Sequence, residues 1–189
     1  MKIRKAVVDD SPFIVEHLLL AMEEIVYEFI GVLSHDQAKR FLLHFIKEKN
    51  NQYSYENCWV VELDNEIVAS VNIYEGSRLK ELREPVIQYI KEHYKKKLIV
   101  EDEAEPGEYY IDSFGVTLGH QGRGLGSAVL KFLINEYVHK NNVTLGLLVD
   151  IENESAKNLY LKMGFRSVGN LVLAGKKMDH LQLNSKFLL

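Results

Sequence analysis

Six residues, Gln121-Gly122-Arg123-Gly124-Leu125-Gly126, put glycine at every second position between an apolar stretch and a helical pattern. Tyr109-Tyr110-Ile111 and Phe114 to Val116 read as a buried strand. After the glycines, Leu125, Ala128, Val129, Phe132, Leu133 and Tyr137 recur at helical spacing and give one apolar face. A strand that feeds a glycine-rich turn at a helix N-terminus is an anion site. The first helical N–H groups lack carbonyl partners, the helix dipole adds partial positive charge, and glycine lets a phosphate approach the backbone. Arg123 adds a formal charge. Three glycines exceed what a turn needs, because each costs helix stability. The spacing predicts a phosphate ligand.

Which phosphate ligand depends on the pattern. No Gly-x-x-x-x-Gly-Lys-Ser/Thr run occurs, so a P-loop is excluded. Gly122 and Gly124 fit a Gly-x-Gly-x-x-Gly dinucleotide fingerprint, but Ser127 stands in the third place. The order instead matches Q/R-x-x-G-x-G/A, and so resembles the pyrophosphate loop of the GNAT superfamily of acyl-CoA-dependent N-acetyltransferases. Downstream, after one helix and one strand, Asn153 to Phe165 (NESAKNLYLKMGF) resembles the family's N-x-x-A-x-x-L-Y-x-x-x-G-F segment. Both motifs lie in the C-terminal half, in the family's order.

The resemblance implies a cosubstrate, acetyl-CoA, and a set of roles. The backbone from Gln121 to Gly126 would hold the CoA pyrophosphate. Arg123 would reach the pyrophosphate or the 3′-phosphate, or else be a solvated arginine. Tyr160 takes the place of the family's general acid. A phenol near ~10 can protonate a departing thiolate whose thiol lies near ~8.5 if it is held close; the alternative is a core tyrosine on an apolar helix face. Asn153 reads from sequence as the N-cap of its helix and would also contact the pantetheine arm. Asp112 occupies a strand position where several family members carry a carboxylate base; otherwise it is a strand-edge Asp. Tyr110 and Ser113 are further anchors for a proton-relaying water. Phe114-Gly115-Val116 matches the region whose backbone N–H groups face the thioester carbonyl, and Gly115 suits a bulge there. The proline frequent two residues beyond is Leu118 here.

The rest of the chain must position these groups. Lys2 to Val8 reads as a strand. Ser11-Pro12 opens a helix that Gly31 stops. Ser34 with Gln37 opens a second helix with Phe41, Leu42, Phe45 and Ile46 on one face. Trp59–Leu63 and Ile67–Glu75 form a hairpin about Asp64-Asn65. In its second strand Ile67, Ala69, Val71 and Ile73 belong to a core, while Val68, Ser70, Asn72 and Tyr74 could face a cleft. Residues 76 to 94 look helical but broken at Pro85. Family members commonly turn here almost directly into the next strand, so about 76–107 is an insertion that would shape the acceptor side. Its acidic run, Glu101 to Glu105, reads as a solvated loop. Val143–Val149 is a strand, 153–163 a helix, and Phe165–Val168 with Met178–Leu183 two closing strands. The expected fold is mixed α/β and GNAT-like. It has a mostly antiparallel twisted sheet of about six to seven strands, with helices on both faces, in a single domain over 1–189.

Composition narrows the function. The chain of 189 residues is 47% hydrophobic and 26% charged with a net charge of −4, ordinary for a globular protein and without global attraction to nucleic acid or anionic membrane. One cysteine, Cys58, excludes an internal disulfide; in an apolar strand it reads as a small hydrophobe rather than an acyl carrier. The seven histidines show no metal-ligand spacing. His120 sits close to the loop as a turn residue. No secretory or membrane-spanning segment is apparent, so the expectation is a cytoplasmic enzyme, without metal, possible as a homodimer. It would acetylate a primary amine of a small molecule or amino-acid derivative. A protein N-terminus or lysine, and a non-catalytic acyl-CoA-binding module, are the alternatives.

Overall fold

The computed structural model describes residues 1–99 and 101–188, so one residue of the expected 76–107 insertion and the last residue of the expected domain lie outside the described residues. Seven strands form one sheet: β1 (Lys2–Lys5), β2 (Cys58–Leu63), β3 (Glu66–Glu75), β4 (Glu108–Val116), β5 (Thr144–Asp150), β6 (Arg166–Leu173) and β7 (Lys176–Leu183). Their spatial order is β1-β2-β3-β4-β5-β7-β6, and of these pairings β4–β5 alone is parallel. The helices are α1 (Ser11–Ile30), α2 (His35–Lys47), α3 (Leu79–Tyr94), α4 (Leu125–Leu133) and α5 (Glu154–Lys162). Three apolar clusters form, the smallest around Tyr74, Leu82 and Tyr110. Of the two larger, one joins α1, α2 and α3 through Leu18, Phe41 and Val86, and the other joins the sheet to α4 through Val71, Leu130 and Leu147. The expected mixed α/β architecture is the one observed.

Local chemistry accounts for most boundaries. Gly31 closes α1 with a left-handed φ of 71°. Ser34 accepts from the Gln37 N–H at the start of α2. Asp64 and Asn65 both take positive φ, as a tight hairpin requires. Ser11 begins α1 as its first helical residue rather than its cap; its hydroxyl donates to the Val8 carbonyl at 2.5 Å. The two closing strands run longer than expected and meet at Ala174-Gly175, both at positive φ.

Pro85 does not break its helix. α3 runs through it with Pro85 and Glu81, whose carbonyl it leaves without its helical partner, both exposed, while Leu82, Val86 and Ile90 are buried. The second face of β3 is no open cleft wall: Val68, Ser70, Asn72 and Tyr74 are all buried. α1 is interrupted at Met22, whose φ of −140° and ψ of 19° divide it into two segments. No helix among the described residues is long and apolar enough to cross a membrane.

Candidate active site

The site opens where β4 and β5 separate. Their parallel pairing runs from Glu108–Thr144 to Ile111–Leu147 and ends there, while β5 continues to Asp150 against β7. On its other edge β4 stays bonded to β3. Thr117 donates to Val68, and the pairs Ser70–Gly115 and Asn72–Ser113 follow at steps of two. By that alternation the N–H groups of Phe114 and Val116 point away from β3, into the gap beside β5. A cleft of about 670 Å³ occupies the gap. Its walls include Asp112, Ser113 and Phe114 of β4, Asn153, Ala156 and Tyr160 at α5, and the interrupted part of α1 around Met22.

The β4–β3 register slips between Asn72 and Ile73, leaving Asp112 as the extra residue. The bulge is therefore at Asp112 and not at Gly115, which the sequence had suggested. Gly115 stays in register with Ser70 and is glycine for a different reason: a Cβ there would lie less than 3.0 Å from the backbone of His17. His17 fixes that approach. Its Nδ1 bonds the Ser70 hydroxyl at 3.2 Å and its Nε2 the Thr117 hydroxyl at 2.9 Å. Burial pushes its pKa down to about 4, so the ring is neutral near pH 7.

The bulge sends the Asp112 carboxylate toward a polar network. Its Oδ1 accepts from Gln52 Nε2 and from the Tyr74 hydroxyl, both at 3.1 Å, and its buried Oδ2 has no partner among the described residues. The same two donors reach Glu103 Oε1, at 2.8 and 3.2 Å. Glu103 is ion-paired to Arg83 of α3, and both are buried. The acidic run is thus only partly a solvated loop, since Glu103 and Ala104 are inside. Burial, then the charge of Glu103, pushes the Asp112 carboxyl up to about 7, against the hydrogen bonds from Gln52 and Tyr74 and the charge of Arg83.

Tyr160 lies on the face of α5 that meets the cleft, its ring edge-on to Phe165 at 5.9 Å. Burial pushes its phenol up to about 12. Asn153 caps α5, accepting from the Ala156 N–H at 3.1 Å, and also lines the cleft.

The glycine loop lies outside the cleft, on the surface next to it. Gln121 to Gly124 are exposed, and a Cβ on Gly126 would stand 3.5 Å from Leu159 and 3.7 Å from Phe114. Gly122 and Gly124 have φ of 73° and 80°, with open space where a Cβ would stand. Gly124 is the N-cap of α4. Among the described residues, no backbone N–H from Gly122 to Ser127 has a protein acceptor. Gln121 donates its side chain to the Val116 carbonyl at 2.9 Å, and Arg123 is exposed without an ion pair among the described residues. Unpaired N–H groups, left-handed glycines and open space suit a diphosphate. The loop leads into the cleft through Gly126 and Phe114.

A model of the acetyltransferase (GNAT) family matches residues 20–165. The chain belongs to the GNAT family. It is an acyl-CoA-dependent N-acetyltransferase, and the family uses acetyl-CoA as cosubstrate. Among solved structures, an N-acetyltransferase from Staphylococcus aureus Mu50 is 24% identical with a TM-score of 0.83, covering 97% of this chain and 100% of its own. A protein described only as an acetyltransferase is 26% identical at a TM-score of 0.80, covering 97% and 99%. A spermidine N-acetyltransferase chimera of Vibrio cholerae SpeG and hSSAT is 19% identical at 0.59, covering 100% and 99%. No curated protein matches the chain.

Of the groups expected in this GNAT site, the structure brings together Asp112, Phe114, Asn153 and Tyr160 around the cleft, and sets Gly122, Gly124 and Arg123 beside it. The polar network around Asp112 escapes sequence reasoning: Gln52 and Arg83 carry no signal, Tyr74 reads only as a strand residue that could face a cleft, and Glu103 only as part of a solvated run. Their contacts are long-range, and no local spacing marks them. Cys58 is buried, and its thiol is pushed up to about 12 by that burial, which keeps it from acting as a nucleophile near neutral pH.

Proposed function

We propose that this enzyme transfers the acetyl group of acetyl-CoA to the primary amine of a small, positively charged molecule by direct attack. The observation that carries the reading is the charge of the cleft. Glu16, Glu23, Glu24 and Asp150 line it against Lys176 and His35. They are paired, Glu16 with Lys39, Glu23 with His35 and Tyr27, and Glu24 and Asp150 with the single Lys176, but among the lining residues the balance is negative. A cation is drawn into such a pocket, and a cleft of about 670 Å³ suits a small molecule better than a folded protein surface. The spermidine specificity named for one structural neighbour is of the same chemical kind.

Each residue then has a task. The backbone of Gln121 to Gly126, with Leu125 at the start of α4, binds the diphosphate of acetyl-CoA, and Arg123 neutralises a phosphate. Asn153 guides the pantetheine arm toward the β4–β5 gap. Acetyl-CoA supplies an activated thioester. Phe114 and Val116 donate their N–H groups to its carbonyl oxygen, which gains negative charge as the amine nitrogen bonds to carbon; Gly115 between them admits the close packing of α1. Asp112 accepts the proton the amine must lose, directly or through one water. When the carbon–sulfur bond breaks, Tyr160 gives its proton to the sulfur. A phenol raised to about 12 stays protonated until that moment, and the burial that raises it raises the leaving thiol as well.

The test is acceptor choice. Release of free thiol from acetyl-CoA would be followed with 1,4-diaminobutane, spermidine, lysine and a peptide with a free N-terminus, and the products weighed by mass spectrometry. Small dications should exceed the peptide in kcat/KM by about tenfold or more, the worth of one well-placed charge contact at about 1.4 kcal/mol. A preference for the peptide would reverse the assignment.

A further inference from the structure

Asp112 and Glu103 form a carboxylate pair with too few protons around it. Gln52 Nε2 offers two hydrogens and the Tyr74 hydroxyl one, and both donors lie within 2.8 to 3.2 Å of an oxygen of each carboxylate. The tyrosine proton can serve only one of the two at a time. Asp112 Oδ2 remains buried with no donor among the described residues. Glu103 is compensated by Arg83, whose guanidinium is also held by the Glu101 carbonyl and by Asp102. Asp112 has no such cation. The array is one proton short, and the natural place for that proton is Asp112.

We infer that Glu103, carried by the 76–107 insertion and held by Arg83, is a positioning residue for acetyl transfer: through the two donors it shares with Asp112, it orients that carboxylate and sets its affinity for the amine's proton. The inference rests on the reading of Asp112 as the proton acceptor. It assigns the insertion a task, since α3 supplies Arg83 and the segment after it supplies Glu103. Two carboxylates so close resist double ionisation, and burial adds to the effect, so the uncompensated member holds a proton more strongly. The other groups acting on Asp112 do not replace Glu103. Tyr53, Tyr74 and Tyr110 are buried and held in their neutral form by burial first and by these carboxylates second, and Cys58 is likewise neutral. Across the cleft, α1 contributes Glu16, Glu23 and Glu24, β5 contributes Asp150 and α5 Tyr160, while Lys176 of β7 is tied to Glu24 and Asp150.

The free protein decides the matter without any acceptor. Its side-chain carboxyls, labelled with carbon-13, would be titrated by NMR, with Asp112→Asn and Glu103→Gln used for assignment. Asp112 should titrate near neutrality, and the Glu103 resonance should show an inflection at the same pH. In Glu103→Gln the Asp112 midpoint should fall by about a unit or more, as expected for loss of a like charge nearby. A wild-type Glu103 resonance that does not sense the Asp112 titration overturns the inference, even if Glu103→Gln does not fold. So does an Asp112 midpoint that stays put in Glu103→Gln.

Turnover supplies the functional half, using whichever amine of the panel above is acetylated fastest. The acid limb of kcat against pH should move down with the NMR midpoint in Glu103→Gln, with KM for acetyl-CoA unchanged. The amine's own ionisation is common to both enzymes and cancels in the comparison. Full activity in Asp112→Asn would remove the proton acceptor itself, and the inference with it. A crippled Asp112→Asn with an unmoved limb in Glu103→Gln would overturn only the role of Glu103.

Discussion

The backbone of Gly115 in β4 lies against the backbone of His17 in α1, so close that a Cβ on residue 115 would stand less than 3.0 Å from the His17 carbonyl. This contact packs α1 onto the site-bearing strand, and the His17 ring completes it through Ser70 and Thr117. Gly115→Ala must push the two elements apart. The expected cost is that of overpacking, about 1–3 kcal/mol, or roughly 2–4 °C in Tm for each kcal/mol. Thermal unfolding of the variant measures it, and an unchanged Tm would mean the contact is looser than described.

Gly124 has a φ of 80° and caps the N-terminus of α4 with open space beside it. Alanine there meets no clash but pays about 1–2 kcal/mol for the left-handed backbone. Relief of that strain would re-aim the N–H groups that follow. Gly124→Ala should therefore weaken CoA by about tenfold, equivalent to about 1.4 kcal/mol. Calorimetric titration with CoA reads the loss, and a Kd equal to that of the wild type would argue against the loop as the diphosphate site.

Tyr160→Phe removes a hydroxyl and little else, since the ring keeps its packing on Phe165. If the phenol protonates the leaving sulfur, kcat should fall by about 10²–10⁴ while the Kd for acetyl-CoA stays within about twofold. Steady-state kinetics with a parallel binding titration separate the two. Equal losses in both would make Tyr160 a binding residue instead.

A second buried pair lies away from the cleft. His180 of β7 bonds Glu108 at 3.0 Å, and Gln182 and the Glu105 N–H complete the acceptor's partners. Burial disfavours the charged ring, but the bond to Glu108 and the charges of Glu108, Glu105 and Asp179 outweigh it, and the His180 pKa is raised above 6.5. A raised folded pKa stabilises fully below the unfolded value and is lost as pH climbs through the folded one. The Tm gap between wild type and His180→Gln should accordingly be wider at about pH 6 than at about pH 9. A gap that does not vary with pH would show that folding leaves the ring's pKa unshifted, and a gap that narrows toward pH 6 that the ring is held neutral.

Local chemistry made the glycine loop and the capped helix of the proposed donor side legible in the sequence. Left-handed glycines, a helix start and an N-cap asparagine depend on neighbours a few residues away, so QGRGLG and the segment around Asn153 and Tyr160 could be recognised from spacing. Asp112 could be chosen by its place on the strand, but its environment could not. Gln52 and Tyr74 reach it from 60 and 38 residues away, and Arg83 and Glu103 join through those two donors from another segment; nothing in the alternation of a strand or the period of a helix encodes such a meeting. Gly115 shows the same limit in another form: the glycine was visible, yet its cause, a carbonyl on another element, was not. Pro85 misled because proline's penalty depends on whether the freed carbonyl reaches water, which is a matter of face rather than of sequence.

The central claim is that the glycine loop and the parted strands hold acetyl-CoA. Thermal unfolding with acetyl-CoA, CoA, NAD and ATP, each near 100 Kd for a true ligand, tests it most directly. Acetyl-CoA and CoA should each add about 2.7 kcal/mol to the folded state, several degrees in Tm, with no comparable effect of NAD or ATP. No shift with either CoA compound, or a larger one with NAD, would contradict the account.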